Sequence, residues 1–325
     1  MMRWISVCTL LLLLPLLGQC SHDPPFELDG TWRDRLYAPT MLDRVGDYWF
    51  LVDAFHNRIL ASDTLSYDLS EWDTLTENVI GPHSVATDGD LYLYEDTGRG
   101  NLQAAVQVYL NEDFAVTETN SIPGMGSRPH RTVYDEPTER FYTIASTSQE
   151  YIRIRNENGY AVEEHRFHAP FLEGVYSRSI TIIDDRMFTV SSNGRITETT
   201  YRDGLYEVQR VYRLPAKFGA MIDMFRSSNG WYYLSAKPEG FARARTLEGF
   251  ETGDYEDLYS KIGLKGTPYY LTEVEGRIVV PFQEASNGIL TFQEDGAGEI
   301  INIEVLWDFG PPPLTSLIRK LSLTP

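Results

Sequence analysis

The chain of 325 residues is 42% hydrophobic, 13% aromatic and only 23% charged, enough apolar material for a large core, which excludes disorder as a description of the whole. Its 28 Lys and Arg stand against 47 Asp and Glu, a formal net charge of −19. A surface that acidic repels phosphate backbones and anionic lipid, which argues against nucleic acid as a partner.

The first element in chain order is an address. Arg3 precedes an apolar run over 10–17, followed by Gly18, Gln19, Cys20 and a polar stretch. The run is too short for a permanent bilayer anchor, and its flanks are those of a secretory signal, so residues 1–20 are expected to direct export. Two cleavage readings stand. Leu17-Gly18-Gln19-Cys20 resembles a bacterial lipobox, with Cys20 as the lipidated first residue, although Gln19 replaces the small residue of that pattern. The other reading is ordinary cleavage after Cys20. Cys8, the only other cysteine, is lost either way, so the mature chain has no internal disulfide. The expected location is extracytoplasmic: periplasm, cell surface or medium, with membrane contact only through a lipid at Cys20.

Downstream, a pattern repeats: apolar strand, tight polar turn, then a strand rich in Tyr, Phe, Val and Ile. These second strands start at Tyr48, Leu91, Phe141, Met187, Trp231 and Ile278, at gaps of 43, 50, 46, 44 and 47 residues. The turns before them include Val45-Gly46-Asp47, Asp88-Gly89-Asp90 and Ser228-Asn229-Gly230, strong hairpin signals. A third strand and a more polar fourth follow each time. Six units of four strands predict an all-β fold, a six-bladed β-propeller of four-stranded antiparallel blades over 21–310. Residues 26–37 are a candidate outer strand for the last blade, and the sequence alone leaves the closure of the ring open. After Pro311, Pro312 and Pro313, the tail 311–325 carries a short amphipathic stretch over 314–323.

The first blade carries the clearest likeness to a known pattern. The stretch from Leu51 through Asp53, Asn57 and Arg58 to Leu60 resembles the NHL-repeat signature, and Gly81-Pro82-His83 and Arg128-Pro129-His130 are similar to the entry of such six-bladed units. The resemblance implies a scaffold that hosts many unrelated functions.

In a propeller the start of each first strand converges on the central axis. Counting back from the second strands places Thr40, His83, His130, Ser179, Asp223 and Tyr270 on one ring, with Arg131 and Arg178 beside them. His83, His130 and Asp223 offer the donor types for one divalent metal, Zn, Mn or Fe, with a position open to water. Arg178 or Arg131 suits an anionic group, and Tyr270 an acid, base or orienting role. Peptidyl-amidating lyases, also six-bladed, are similar in placing axial histidines on zinc near Tyr and Arg; here only two blades offer His at the ring. Gluconolactonase-type and paraoxonase propellers hold calcium through Glu, Asn and Asp, where this chain has Thr40 and no ring Asn. The acids Asp53, Glu95, Asp96 and Glu284, at second-strand ends, form a candidate oxygen site.

Two functions therefore stand: a propeller that binds a small-molecule or protein ligand on its axial face through Thr40, His83, His130, Arg131, Ser179 and Asp223, or a metal-dependent lyase or hydrolase acting on a small anionic or sugar-like substrate, with Tyr270 and Arg178 catalytic. No G-x-S-x-G, HExxH, P-loop or CxxC motif occurs.

Overall fold

The computed structural model describes residues 32–110, 113–125 and 128–311. The export segment 1–20, Cys20 and the stretch 314–323 lie outside these residues. Six antiparallel sheets follow one another around a ring, covering residues 39–76, 85–122, 129–168, 177–213, 221–257 and 267–308. The six-bladed, four-stranded propeller expected from the repeat is what the chain forms. In the sixth blade the inner strand is broken into Thr267–Pro268 and Thr272–Val274, both paired with Arg277–Gln283. Among the described residues no helix is long and apolar enough to cross a membrane.

The second strands begin within one residue of their expected starts: Tyr48–Asp53, Leu91–Asp96, Arg140–Ala145, Arg186–Ser191, Tyr232–Ala236 and Arg277–Gln283. They read as continuous apolar runs because neighbouring blades cover both of their faces. Glycines or small polar residues in left-handed backbone make the turns, with Gly46 at φ +61°. Blade 4 uses Asp184 and Asp185 instead, at φ +47° and +63°, which aspartate tolerates better than most residues.

The core is six hydrophobic seams, one between each pair of adjacent blades, rather than one mass. Phe50, Val52, Val85 and Tyr94 join blades 1 and 2. Leu93, Ala104, Phe141 and Ile152 join blades 2 and 3. Tyr142, Tyr151, Ile180 and Met187 continue to blade 4, and Val190, Ile196, Met224 and Leu234 to blade 5. Tyr233, Phe241, Val280 and Phe292 join blades 5 and 6, and Leu42, Leu51, Val279 and Ile289 close the ring between blades 6 and 1.

Among the described residues the outer strand of the last blade is its own Ile300–Asp308, and residues 32–37 of the candidate segment 26–37 add no strand to it. Of that segment, residues 26–31 lie outside the described residues. Trp32–Asp34 is a single 3-10 turn, and Leu36 packs into the seam between blades 6 and 1. The nearby Arg35 guanidinium donates to the Phe309 carbonyl at 2.9 Å. Ring closure is thus lateral packing, aided by Thr272 Oγ1 donating to the Leu42 carbonyl at 2.6 Å.

Blade 5 departs from the others. Its outer strand is only Glu256–Asp257, preceded by a six-residue helix, Leu247–Thr252. Thr246 caps that helix by accepting from the Gly249 amide at 3.1 Å. Leu247 and Phe250 plug the seam between blades 4 and 5. A helix so short carries no readable period in sequence.

Candidate ligand site at the axial mouth

The inner strands share an irregularity near their first residues. The register slips between Pro39 and Met41 in blade 1, around His130 and Arg131 in blade 3, between Ser177 and Ser179 in blade 4, and between Met221 and Asp223 in blade 5. In blade 6 the strand gap holds Tyr269 and Tyr270, and in blade 2 His83 precedes the short strand Val85–Thr87. A bulge re-aims side chains that strict alternation would send into the seams. The ring residues owe their place at the axis to these breaks.

At the mouth, two histidines and two tyrosines meet. The His83 and His130 rings lie 4.7 Å apart, and Tyr269 stacks on His83 at 5.7 Å. Tyr176 stands edge-on to His130 at 5.4 Å. His130 is fully engaged: Nδ1 donates to the Arg128 carbonyl at 3.0 Å, so Nε2 carries the lone pair and accepts from the Tyr176 hydroxyl at 2.8 Å. Arg178 lies over the Tyr176 ring with its guanidinium carbon 4.9 Å from the centroid.

Burial pushes the His130 imidazole down to about 3, with Arg178 and Arg128 adding to the effect against the opposing bond to the Arg128 carbonyl. Burial also holds His83 well below the usual histidine range, reinforced by His130, Arg178, Arg128 and Lys237. Both rings are neutral at pH 7. His83 Nδ1 and Arg178 Nε are buried without a hydrogen-bond partner, a state that costs on the order of 1–3 kcal/mol for each group left unsatisfied.

The remaining ring residues have a different task. Thr40 Oγ1 donates to the His83 carbonyl at 2.9 Å, joining blades 1 and 2. Ser84 Oγ accepts from the Thr132 amide at 3.1 Å and donates to Glu95 at 2.7 Å. Ser179 Oγ donates to Asp223 at 2.7 Å, and the other Asp223 oxygen accepts from the Leu271 amide at 2.9 Å, so one carboxylate ties blades 4, 5 and 6. Tyr270 donates its hydroxyl to the Arg178 carbonyl at 2.8 Å, across from blade 6 to blade 4. Thr40, Ser179, Asp223 and Tyr270 are all fully buried. They were expected to face a ligand or, for Tyr270, to act on one; their polar atoms are instead spent between blades.

Arg131 sits deeper than the mouth, its guanidinium carbon 4.4 Å above the Tyr270 ring and Nη1 3.8 Å from Asp223. Burial raises the carboxyls of Asp223 and Glu95, and raises Asp43, on the inner strand of blade 1, to about 7 against the pull of Arg131.

The metal reading is corrected by this arrangement. His83 and His130 do meet, but both His130 nitrogens are bonded to protein and Asp223 faces Ser179 and Leu271, so the three share no ligation point. Among the described residues no group of three or more His, Cys, Asp or Glu is placed to hold a metal ion. The second-strand acids do not gather either. Asp53 accepts from the Tyr37 and Ala38 amides and pairs with Arg58 at 3.1 Å, both side chains buried. Asp96 accepts from the Ile80 amide at 3.0 Å, and Glu284 binds Lys237 at 2.6 Å.

Tyr176 and Tyr269 were missed by sequence reasoning. Tyr269 lies one residue from the counted ring position Tyr270 and Tyr176 three residues from Ser179, in the strand gap or the loop before the inner strand, and counting assumes unbroken strands. Their signal was the aromatic beside a ring residue in Tyr176-Ser177-Arg178 and Tyr269-Tyr270.

No protein family and no curated protein matches this sequence. Solved structures do. A proposed 6-phosphogluconolactonase from Bacteroides uniformis superposes with a TM-score of 0.59 at 14% identity, over 82% of this chain and 83% of that one. Its counterpart from Bacteroides fragilis gives 0.59 at 13%, over 84% of each chain. A protein from Lactobacillus plantarum gives 0.51 at 13%, over 84% and 81%. At such identities the likeness shows the propeller fold, and the finer resemblance to NHL, lyase or gluconolactonase-type propellers stays a matter of sequence pattern.

Proposed function

We propose that this chain is an exported propeller, lipid-anchored at Cys20 or secreted, that receives a small ligand at its axial mouth. The observation that carries the reading is the contrast at the ring. Most polar ring atoms are spent between blades, whereas His83 Nδ1 and Arg178 Nε have no partner beside the flat faces of Tyr269 and Tyr176. Concave sites with aromatic walls and a few convergent polar groups are where small molecules bind. A protein partner engaging the same face is the variant of this reading that a larger footprint would reveal.

A thermal-shift screen of small sugars, organic acids and divalent metals tests the reading. A stabilising compound should lose its effect in His83→Ala and Tyr269→Ala. If every effective compound acts equally on wild type and both variants, the mouth is not the site. Export is tested by the intact mass of chain made from the full gene in a bacterial host. An acylated N-terminal Cys20 supports the anchor, Ser21 as first residue supports secretion, and an intact residue 1 overturns both.

The second reading is enzymatic, and one observation favours it. His83, held neutral with a free Nδ1, is a group fit to take a proton from a bound water or substrate. Two solved neighbours carry a 6-phosphogluconolactonase description, so sugar-lactone hydrolysis is the reaction to assay first. Turnover lost in His83→Gln with binding retained would favour this reading.

A further inference from the structure

Resting on the mouth as the ligand site, we propose that its ligand is a small organic anion, a carboxylate or phosphate monoester on a ring-shaped body. The charge pattern points there. In a chain of net charge −19, most arginines of the described residues are matched to acids, as Arg58 is to Asp53, Arg99 to Asp96 and Arg243 to Glu294. Arg178 makes no ion pair with a carboxylate among the described residues; its guanidinium lies over the face of Tyr176 and reaches the Tyr269 hydroxyl. Arg128 is exposed beside it, and both act on His83 and His130 strongly enough to help keep those rings uncharged. Lys237 also reaches His83 electrostatically, with its own charge answered by Glu284 at 2.6 Å.

The mouth is therefore a cationic spot on an acidic protein, with two arginines, Arg178 and Arg128, that form no ion pair among the described residues. An anion supplies the missing charge and gives the Arg178 Nε the acceptor it lacks. Guanidinium presents paired donors that suit both carboxylate and phosphate. An uncharged ligand leaves that charge unanswered, and a cationic one is repelled by it. The body of the ligand is read from the walls: His83 and Tyr176 are half-buried aromatic rings at the mouth, which offer flat surface against which a ring packs.

The test is a matched series measured by titration calorimetry at pH 7: glucose, glucuronate and glucose 6-phosphate, which share one ring and differ in charge. At least one anion should bind about tenfold or more tightly than glucose, a difference of about 1.4 kcal/mol. Which anion does so separates carboxylate from phosphate. Arg178→Met should abolish that factor, and Arg128→Met, an exposed change with little risk to folding, should reduce it. Glucose binding as well as both anions overturns the proposal while leaving the mouth as a ligand site. So does an anion preference that survives both variants, because the anion then sits elsewhere. No binding by any of the three overturns the proposal for this ring class, and the mouth itself fails only if the wider screen also finds nothing sensitive to His83 and Tyr269.

Discussion

The mouth and the channel just beneath it both gather polar side chains near the starts of the inner strands, yet they resolve most of that polarity in opposite ways, with Arg131 Nη1 the unpartnered atom of the deeper set. Below, Asp223, Ser179, Thr40 and Tyr270 are buried and satisfied by other blades. Above, His83 and Arg178 keep buried nitrogens that no neighbour meets. A polar axis is thus no evidence of a binding site by itself. What separates ligand-facing from structural residues is whether the adjacent blade has supplied the partner, and that depends on bulges a residue or two away.

The comparison is broken most severely at Asp223. Asp223→Ala strips the acceptor from Ser179 and the Leu271 amide and leaves Arg131 facing an empty position, so unfolding free energy should fall by about 3–5 kcal/mol, the cost of removing one partner of a buried charged network. His83→Ala removes a side chain whose Nδ1 has no partner and should cost far less, measured by urea denaturation of both variants. Equal losses would erase the distinction between the two layers.

Acid and base should act on the two layers with opposite sign. His130 is pushed down to about 3 from an ordinary 6.5, so between those values the unfolded chain binds a proton that the folded chain refuses. That contribution makes stability fall as pH drops below about 6.5. Asp43 is raised to about 7, so from about pH 4 to 7 the folded chain holds a proton that the unfolded chain has released. That contribution makes stability fall as pH rises through the same range. Urea midpoints at pH 5, 6.5 and 8 should show His130→Gln losing less than wild type on acidification, and Asp43→Asn losing less on alkalinisation, each by about 1 kcal/mol. Parallel profiles in both variants would show that neither group titrates as its surroundings dictate.

The smallest effect belongs to the rim. Arg44 and Glu275 form an ion pair across the closing seam with both side chains exposed. Arg44→Ala should change stability by less than about 0.5 kcal/mol, since solvent screens such pairs. A larger loss would mean that closure depends on surface charge and not on the packing of Leu42, Leu51, Val279 and Ile289.

Much of the scaffold was legible because propeller repetition is periodic in sequence. Hairpin turns such as Asp88-Gly89-Asp90 and doubly buried strands such as Leu91–Asp96 leave unambiguous marks. The site was legible in part. His83, His130 and Arg178 were found by counting, and they do come together. Their roles were not, because Ser179 and Asp223 read the same whether a neighbouring blade or a ligand receives their hydrogen bonds. The bulges at Thr40, His130 and Arg178 leave no mark in the alternation of apolar and polar residues, so Tyr176 and Tyr269 escaped. Blade 5 escaped as well, since a six-residue helix and a two-residue strand are too short to pattern.

Each blade is a single consecutive stretch of chain, and the described ends meet where Arg35 touches Phe309. Among the described residues no blade is shared between the two ends of the chain. The ring accordingly has no privileged first member. A coding sequence that joined those two ends and began instead at any link between blades would encode the same set of neighbours, and whole blades can be traded as interchangeable cassettes wherever the flanking seams still fit.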